Sequence, residues 1–229
     1  MKKILISQSN YIPWKGYFDS ISLVDEFIIY DEMQYTKRDW RNRNKIKTPQ
    51  GLKWLTIPVE VKGKYLQKIN ETKISDDSWN VKHWNIIKQN YSKAKYFKEN
   101  KDFFEDLYLN MNQKYLTEIN FNFISAICDF FNVKTTIRFS SEFTLKGNPS
   151  EKLLYLCKEI KAKEYHSGPA AKEYLDEKIF NENNIDVKYF DYNHYKEYDQ
   201  LNPPFRHDVS ILDLVFNEGN NAKQYLKMI

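Results

Sequence analysis

The residue types best suited to chemistry lie between positions 8 and 43, where polar, aromatic and basic side chains surround one short apolar run. A basic tract, residues 37–47, overlaps the end of this segment and continues beyond it, and Asp39 is its only acidic residue. The basic residues of the tract are Lys37, Arg38, Arg41, Arg43, Lys45 and Lys47. An arginine can bind two oxygens of a phosphate or carboxylate at once, whereas a lysine acts as a movable point charge. We therefore expect the tract to bind an anion, with Lys37 able to follow charge that develops in a reaction.

Two other interpretations of the basic tract compete with a small-molecule site. The first is a solvated basic loop, but Tyr35 and Trp40 lie between the charges, and large aromatic rings are costly to leave in water. The second is a site for single-stranded nucleic acid, whose bases stack on aromatic rings. However, the basic density stops after the tract, and no known nucleic-acid-binding module is recognisable. We therefore predict an anionic small molecule as the partner and no nucleic acid.

Two apolar runs that lead into these side chains are predicted to be strands. Residues 4–6 precede Gln8, and a turn containing Pro13 and Gly16 follows, as in strand-to-helix connections. Residues 26–30 form the second run and end at Asp31. If the two runs are neighbouring parallel strands, their carboxyl ends open on one crevice, where ligands of open α/β sheets bind.

Candidates for proton transfer are Asp31 and His166. Asp31 suits a general base, a magnesium ligand or simply a cap on the next element. His166 lies where a later predicted strand ends and a helix begins, so on a shared sheet it would face the same crevice. The Ser167 hydroxyl would then receive an anionic oxygen, although a plain, hydrogen-bonded core histidine is an equal alternative. His207 suits a lid or a second wall of the site, but the sequence does not place it.

Length and composition favour one folded unit. Aromatic residues make up 16% of the 229 residues, and the net charge of +4 is too small to require a polyanionic partner. Cys128 and Cys157 lie in apolar helical patterns, which indicates buried, reduced thiols. The absence of any clustered cysteine and histidine spacing predicts no metal site. The amino-terminal apolar stretch is too short for a signal peptide, and no segment is long enough to span a bilayer, so we expect a cytoplasmic protein.

The order of elements predicts a largely parallel, Rossmann-like sheet with a β-hairpin and a helical insertion. Alternating apolar residues flank a turn at residues 48–51, which is typical of the hairpin. Apolar residues recur at helical spacing across residues 77–132, which predicts about three helices inserted into a single domain spanning 1–229. In the final third, strands alternate with helices, as in parallel βαβ units. One of these helices is predicted within residues 169–183 and another within residues 210–219.

Several of these motifs resemble the WbqC-like family across nearly the whole chain. The matching stretches are QSNYIPWKGYFDSI, DEFIIYDEMQYTKRDWRNRNKI, GLKWLTIPV, SGPAAKEYLD and SILDLVF. Ser9 departs from the family pattern, which more often has proline after the glutamine. The family is found among bacterial O-antigen, capsule and other surface-glycan genes, so the resemblance implies a place in lipopolysaccharide or capsule synthesis more firmly than it implies a reaction.

Our leading hypothesis is a transferase that attaches an acyl or aminoacyl group to an amino sugar, with a nucleotide-linked sugar as the expected partner. The predicted catalytic residues are Asp31 and Lys37, which the resemblance implies, and His166, which is inferred from its place at the end of a predicted strand. The implied substrate-binding residues are Gln8, Tyr11, Trp14, Gln34, Arg38, Trp40, Arg41, Asn42, Arg43 and Ser167. The arginines would hold a diphosphate or carboxylate, and the aromatic residues would stack on base or sugar. A non-catalytic binding partner of the same pathway is the alternative.

The sequence does not identify a cofactor. The placement of Pro13 and Gly16 distantly resembles the nucleotide-binding turn of the adenylyl-transferring α/β superfamily, but the histidines of that motif are absent. ATP or another acyl-activating donor is therefore a candidate cofactor.

Overall fold

The computed structural model describes residues 1–227 and has an α/β architecture. The strands are β1 (Lys3–Ser7), β2 (Glu26–Ile29), β3 (Arg43–Thr48), β4 (Gly51–Thr56), β5 (Thr136–Phe139), β6 (Glu164–Ser167) and β7 (Asp186–Tyr189). The helices are α1 (Lys15–Ser22), α2 (Trp79–Tyr91), α3 (Phe97–Leu109), α4 (Leu116–Phe130), α5 (Pro149–Glu159), α6 (Glu177–Glu182) and α7 (Ile211–Glu218). Short 3-10 turns supplement these helices.

Five strands form one sheet in the order β5-β2-β1-β6-β7, and every neighbouring pair is parallel. The chain builds the sheet outward from β1 through β2 to β5, and then crosses to the other side of β1 to add β6 and β7. This reversal creates a topological switch point between β1 and β6, where the ligands of doubly wound sheets bind. The predicted parallel α/β sheet is confirmed.

The sheet separates two hydrophobic cores because successive side chains of a strand point to opposite faces. Leu5 and Phe27 belong to the larger core, which also contains the apolar faces of α1, α2, α3, α4 and α7. Ile4 and Ile28 belong to the smaller core, together with α5 and α6. The free thiols Cys128 and Cys157 are buried in these two cores, as predicted.

The predicted hairpin and inserted helices lie between β2 and β5. Strands β3 and β4 form a separate antiparallel pair whose turn joins Thr48 to Gly51, and the positive φ of Gly51, 107°, suits glycine at this tight turn. Helices α2, α3 and α4 follow within the stretch predicted to be helical.

One predicted helix is divided. The stretch from residue 169 to residue 183 forms a 3-10 turn, Pro169–Glu173, and then the separate helix α6. Asp176 begins α6 as its N-cap, because its side chain accepts a hydrogen bond from the backbone N–H of Lys178 at 3.2 Å. The prediction of a single helix is therefore wrong at this position.

A buried polar chain ties the segment after β1 to the inserted helices. The Tyr11 hydroxyl lies 2.8 Å from Nδ1 of His83 and 2.8 Å from the Tyr108 hydroxyl. The other ring nitrogen of His83, Nε2, lies 3.2 Å from the carbonyl oxygen of Thr56. Because a carbonyl can only accept, His83 carries its proton on Nε2 and accepts at Nδ1 from Tyr11. These hydrogen bonds therefore favour the neutral form of His83.

Burial lowers the pKa of His83 from 6.5 to about 4, which predicts a specific pH dependence of stability. Above pH 6.5 the histidine is neutral in both states. As the pH falls from 6.5 to 4, the unfolded chain binds a proton that the folded chain does not, so the free energy of unfolding falls by up to ~3 kcal/mol. Urea unfolding across this pH range should show a smaller loss in His83→Gln than in the wild type. Equal slopes for the two proteins would contradict this assignment.

Candidate functional site

The segment that follows β1, residues 8–14, is the centre of the candidate site, and we call it the first loop. Its backbone is held from several sides. The N–H of Tyr11 donates to the carbonyl of Trp40 at 3.0 Å, and the carbonyl of Pro13 accepts from Ile211 of α7 at 2.9 Å. The Tyr17 hydroxyl donates to the carbonyl of Gln8 at 3.0 Å. The first loop is therefore fixed by α1, α7 and the basic tract together.

Asp31 makes the most buried of the contacts that hold the first loop. Its side chain accepts from the backbone N–H of Ser9 at 2.8 Å, from the Ser9 hydroxyl at 2.6 Å and from the Thr117 hydroxyl at 2.5 Å. The side-chain amide of Asn120 on α4 donates to the Ser9 hydroxyl at 2.9 Å and to the carbonyl of Arg41 at 2.9 Å. Burial raises the pKa of Asp31 above its usual value, while these hydrogen bonds oppose the rise. Asp31 thus joins the ends of β1 and β2 to α4.

The first loop contains a backbone conformation that is unfavourable for its residue. Ile12 has a φ of 35°, in a region that β-branched residues rarely adopt, at a cost of about 1–3 kcal/mol. The side-chain amide of Asn44 donates to the carbonyls of Tyr11 at 3.1 Å and of Ile12 at 2.8 Å. These two bonds hold the strained residue in place from the adjacent hairpin.

A cavity of about 300 Å³, which we call the crevice cavity, lies at the switch point of the sheet. It opens beside the carboxyl ends of β1, β2 and β6. The polar residues in its wall are Ser7, Gln8, Tyr30, Arg41, Tyr165, Ser167 and Tyr174. Three of the predicted substrate-binding residues, Gln8, Arg41 and Ser167, therefore come together here.

Arg41 carries the positive charge of the crevice cavity. Its Nη1 donates to the side-chain oxygen of Asn10 and lies 3.4 Å from the carbonyl of Ser9, and its Nε lies 3.8 Å from Asp39. Among residues 1–227, the second terminal nitrogen, Nη2, has no hydrogen-bond partner. The guanidinium group is thus positioned by the protein while part of it stays available to an anion.

A second cavity of about 280 Å³, the tryptophan cavity, lies on the other side of the first loop. Its wall contains Asn10, Pro13, Trp14, Trp40, Asn44, His207 and Asp208. The ring of Trp14 lies over Gly16, where any side chain would collide with it, since an added Cβ would approach the ring to 2.3 Å. This close contact explains the glycine and fixes one aromatic wall. Two predicted stacking residues, Trp14 and Trp40, thus line the same cavity.

His207 and Asp208 form the polar wall of the tryptophan cavity opposite these rings. Asp208 pairs with Lys45 at 2.6 Å and with Arg206 at 2.8 Å, and these contacts hold its pKa below the usual range. Burial and the nearby charge of Lys15 lower the pKa of His207. The buried Nδ1 of His207 has no hydrogen-bond partner among residues 1–227. His207 is therefore a neutral imidazole at neutral pH, with an unused ring nitrogen.

Arg41 links the two cavities, because it lines the crevice cavity and donates to Asn10, which lines the tryptophan cavity.

Three predicted site residues lie in the interior and line neither cavity. Tyr11 is fully buried among aromatic rings. Asn42 donates from its side-chain amide to the carbonyl of Ile57 at 2.8 Å. Asp31, with 2% of its surface exposed, is surrounded by the donors described above.

Four other predicted site residues, from the basic tract and the segment before it, also line neither cavity. Gln34, Lys37 and Arg38 are exposed. Arg43 is partly buried, and its guanidinium group lies 4.0 Å from the ring centre of Trp54 on the hairpin. The structure therefore does not bring the three predicted arginines together, and only Arg41 reaches the crevice cavity.

His166 faces the opposite side of the sheet from the crevice cavity. Alternation along β6 directs Tyr165 and Ser167 to one face and His166 to the other. His166 lies 2.9 Å from Glu164 and lines a separate cavity of about 460 Å³ with residues of α1 and β7. The expectation that His166 would share the crevice with Asp31 does not agree with this geometry.

Comparison with known proteins identifies the family. The model of the WbqC-like protein family matches residues 8–225. The chain belongs to the WbqC-like protein family. It is similar to "Uncharacterized protein Rv1507c" of Mycobacterium tuberculosis, with 50% identity over 227 residues that cover 99% of this chain and 98% of that protein. No solved structure shows significant similarity.

The predicted substrate-binding set of this WbqC-like chain omitted the four polar residues in the wall of the tryptophan cavity. They are Asn10, Asn44, His207 and Asp208. Asn10 and Asn44 flank predicted residues in the sequence, so their neighbourhood was a usable signal. His207 and Asp208 reach the first loop because α7 docks on Pro13, a contact between distant parts of the chain.

Within residues 1–227, no group of three or more histidine, cysteine, aspartate or glutamate side chains is arranged to hold a metal ion. None of the helices in the same range combines the length and apolar character needed to cross a bilayer.

The Asp31 contacts predict a large loss of stability on truncation. Asp31→Ala leaves three buried donors, on Ser9 and Thr117, without an acceptor, and should lower the free energy of unfolding by about 3 kcal/mol. Thr117→Val removes one of these bonds with little change of shape and should cost about 1 kcal/mol. Urea denaturation measures both. If Asp31→Ala cost no more than Thr117→Val, Asp31 would not be the fastening of the first loop.

Proposed function

We propose that this protein is a transferase of bacterial surface-glycan biosynthesis that acylates or aminoacylates an amino sugar carried on a nucleotide. The observation that carries this proposal is the pair of cavities on either side of the first loop, with Arg41 between them. Membership of the WbqC-like family agrees with a role in glycan synthesis. The two cavities support the proposal because one contains an arginine suited to an anion and the other has aromatic walls suited to a ring.

The anionic part of the ligand would occupy the crevice cavity. Nη2 of Arg41 offers a charged donor, and Gln8 and Ser167 add neutral donors from the ends of β1 and β6. A diphosphate or a carboxylate accepts several such bonds at once. The position at the switch point of a parallel sheet is where nucleotide ligands of doubly wound folds bind.

The ring of the ligand would occupy the tryptophan cavity. Trp14 and Trp40 present aromatic walls, and apolar cavities with a few fixed polar groups are typical of small-molecule sites. Asn10 can orient a base or a sugar by hydrogen bonding from the same wall, whereas the buried amide of Asn44 is already bonded to backbone groups.

We propose His207, which lines the tryptophan cavity, as the residue that accepts the proton. The nitrogen of an amino sugar would form a bond to the carbonyl carbon of an activated acyl donor, and the activating group would leave with its electron pair. The nitrogen would lose its proton to His207, whose lowered pKa keeps it neutral and able to accept. Holding the amine beside the carbonyl is the other contribution of the site.

The second candidate function is a non-catalytic nucleotide-sugar or glycan-binding partner of the same pathway. It is favoured by the crevice cavity, whose wall contains Arg41 for anion binding but no aspartate, glutamate or histidine among the described residues. Under this alternative, the ligand binds in the same place and is not converted.

Replacement of Arg41 tests the shared binding step. Thermal-shift screening with UDP-, GDP- and dTDP-sugars, with and without ATP and amino acids, should find a stabilising ligand. Arg41→Gln should weaken that ligand about 30-fold, because it removes a charge-assisted bond worth about 2 kcal/mol. Arg38→Gln is the matched control from the same tract, and its exposed side chain should not affect binding.

The same proteins separate the candidate functions. Turnover of the stabilising sugar with an acyl donor, lost in His207→Gln while binding is retained, would support the transferase. Binding without turnover would support the partner protein. Equal loss of binding in Arg38→Gln and Arg41→Gln, or stabilisation by oligonucleotides instead of sugars, would refute the proposed site.

A further inference from the structure

The most exposed large apolar side chain among residues 1–227 is Leu66, at 83%, and its neighbour Tyr65 is 76% exposed. Both lie in a loop that also contains Lys62, Lys64 and Lys68. Neither side chain therefore belongs to the packed interior formed by residues 1–227. An exposed aliphatic and aromatic pair flanked by lysines suits a partner that is both apolar and negatively charged.

The exposed residues of the basic tract lie beside this loop. The side-chain amide of Gln34 donates to the carbonyl of Tyr65 at 2.7 Å, and the N–H of Tyr35 donates to the carbonyl of Gln67 at 2.9 Å. The ammonium group of Lys37 lies 5.7 Å from the centre of the Tyr65 ring. We call residues 34–38 and 61–68 together the basic tip.

The basic tip has a strongly one-sided charge. It contains Lys37, Arg38, Lys62, Lys64 and Lys68, and no acidic residue. Three acids lie at its border: Glu60 pairs with Lys64, Glu71 lies 3.9 Å from Lys68, and Asp39 accepts a hydrogen bond from the Thr36 hydroxyl at 2.7 Å. These ion pairs are exposed and therefore weak, so the cations remain available to a negatively charged surface.

We propose that the basic tip docks the protein on an anionic lipid bilayer, with Leu66 and Tyr65 inserted at the headgroup level. Leucine enters the edge of the hydrocarbon, and tyrosine favours the membrane interface because one end of its ring is apolar and the other polar. Lysines around such a tip reach the lipid phosphates through their long apolar stems.

The residue types favour a membrane over other macromolecules. A single-stranded nucleic acid would stack on Tyr65, but it gives no role to Leu66, because an aliphatic side chain does not stack on bases. Protein interfaces are depleted in lysine at their cores. A bilayer alone uses the leucine, the tyrosine and the five cations together.

The basic tip adjoins the crevice cavity. Met33 lies in the wall of that cavity, and its carbonyl accepts from the N–H of Ile69, just beyond the tip, at 3.0 Å. Docking would therefore bring the mouth of the crevice cavity close to the lipid surface. If the proposed function holds, a sugar diphosphate attached to a lipid would be accessible to the same site.

Vesicle sedimentation with the full chain tests the docking surface. The protein should bind vesicles of equimolar phosphatidylcholine and phosphatidylglycerol, and should not bind phosphatidylcholine alone. Combined Tyr65→Ser and Leu66→Ser should lower partitioning at least about tenfold, since each side chain loses apolar burial. Lys62→Gln and Lys64→Gln should each lower it about fivefold, the equivalent of about 1 kcal/mol per cation.

Matched controls come from another face of the molecule. Leu109→Ser removes an apolar side chain that is 45% exposed at the end of α3, and Lys178→Gln removes an exposed cation from α6. Neither should change partitioning. Equal binding to neutral and anionic vesicles, wild-type binding by the Tyr65 and Leu66 double variant, or binding to oligonucleotides without vesicles would overturn the proposal. The vesicle assay contains no sugar, so its result is independent of the Arg41→Gln binding assay. Failure of membrane docking would therefore not count against the proposed function.

Discussion

The buried contact between Asp31 and Ser9 is the constraint on which the candidate site depends. It fastens the end of β1 to the end of β2, and Thr117 and Asn120 extend it to α4. Without this contact, the first loop would lose its buried link to β2 and α4 and would be held only by α1, α7, the hairpin and the basic tract. A proline at position 9 could supply neither of the two donors from which Asp31 accepts here.

Much of the fold could be predicted because its local signals agree with its tertiary structure. Short apolar runs that alternate with helical patterns correctly predicted the parallel sheet, and the turn at residues 48–51 predicted the hairpin. The error at residues 169–183 has a local cause. The cap at Asp176 divides a pattern whose spacing alone suits one helix. Strand order, which creates the switch point, is set by contacts between distant segments and had no local signal.

The site was harder to predict because residue type does not reveal direction. Arg38, Arg41 and Arg43 have the same chemistry, but a positive φ of 60° at Arg38 and the stacking of Arg43 on Trp54 direct them to different surroundings. Asp31 has the side chain of a general base, but it accepts three buried hydrogen bonds, and these contacts give it a structural role. The sequence does not place His207, because the docking of α7 on the first loop is a long-range contact that brings this residue to the cavity of Trp14.

The most direct measurement of the central claim is hydrogen–deuterium exchange with and without the nucleotide-sugar that stabilises the protein. We expect ligand to slow the exchange of backbone amides in the first loop, in residues 40–44 and in residues 166–171, which surround the two cavities. The groove between α3 and α4, lined by Phe103 and Phe121, should be unchanged. Protection confined to that groove, with unaltered exchange in the first loop, would contradict a ligand site at the switch point of the sheet.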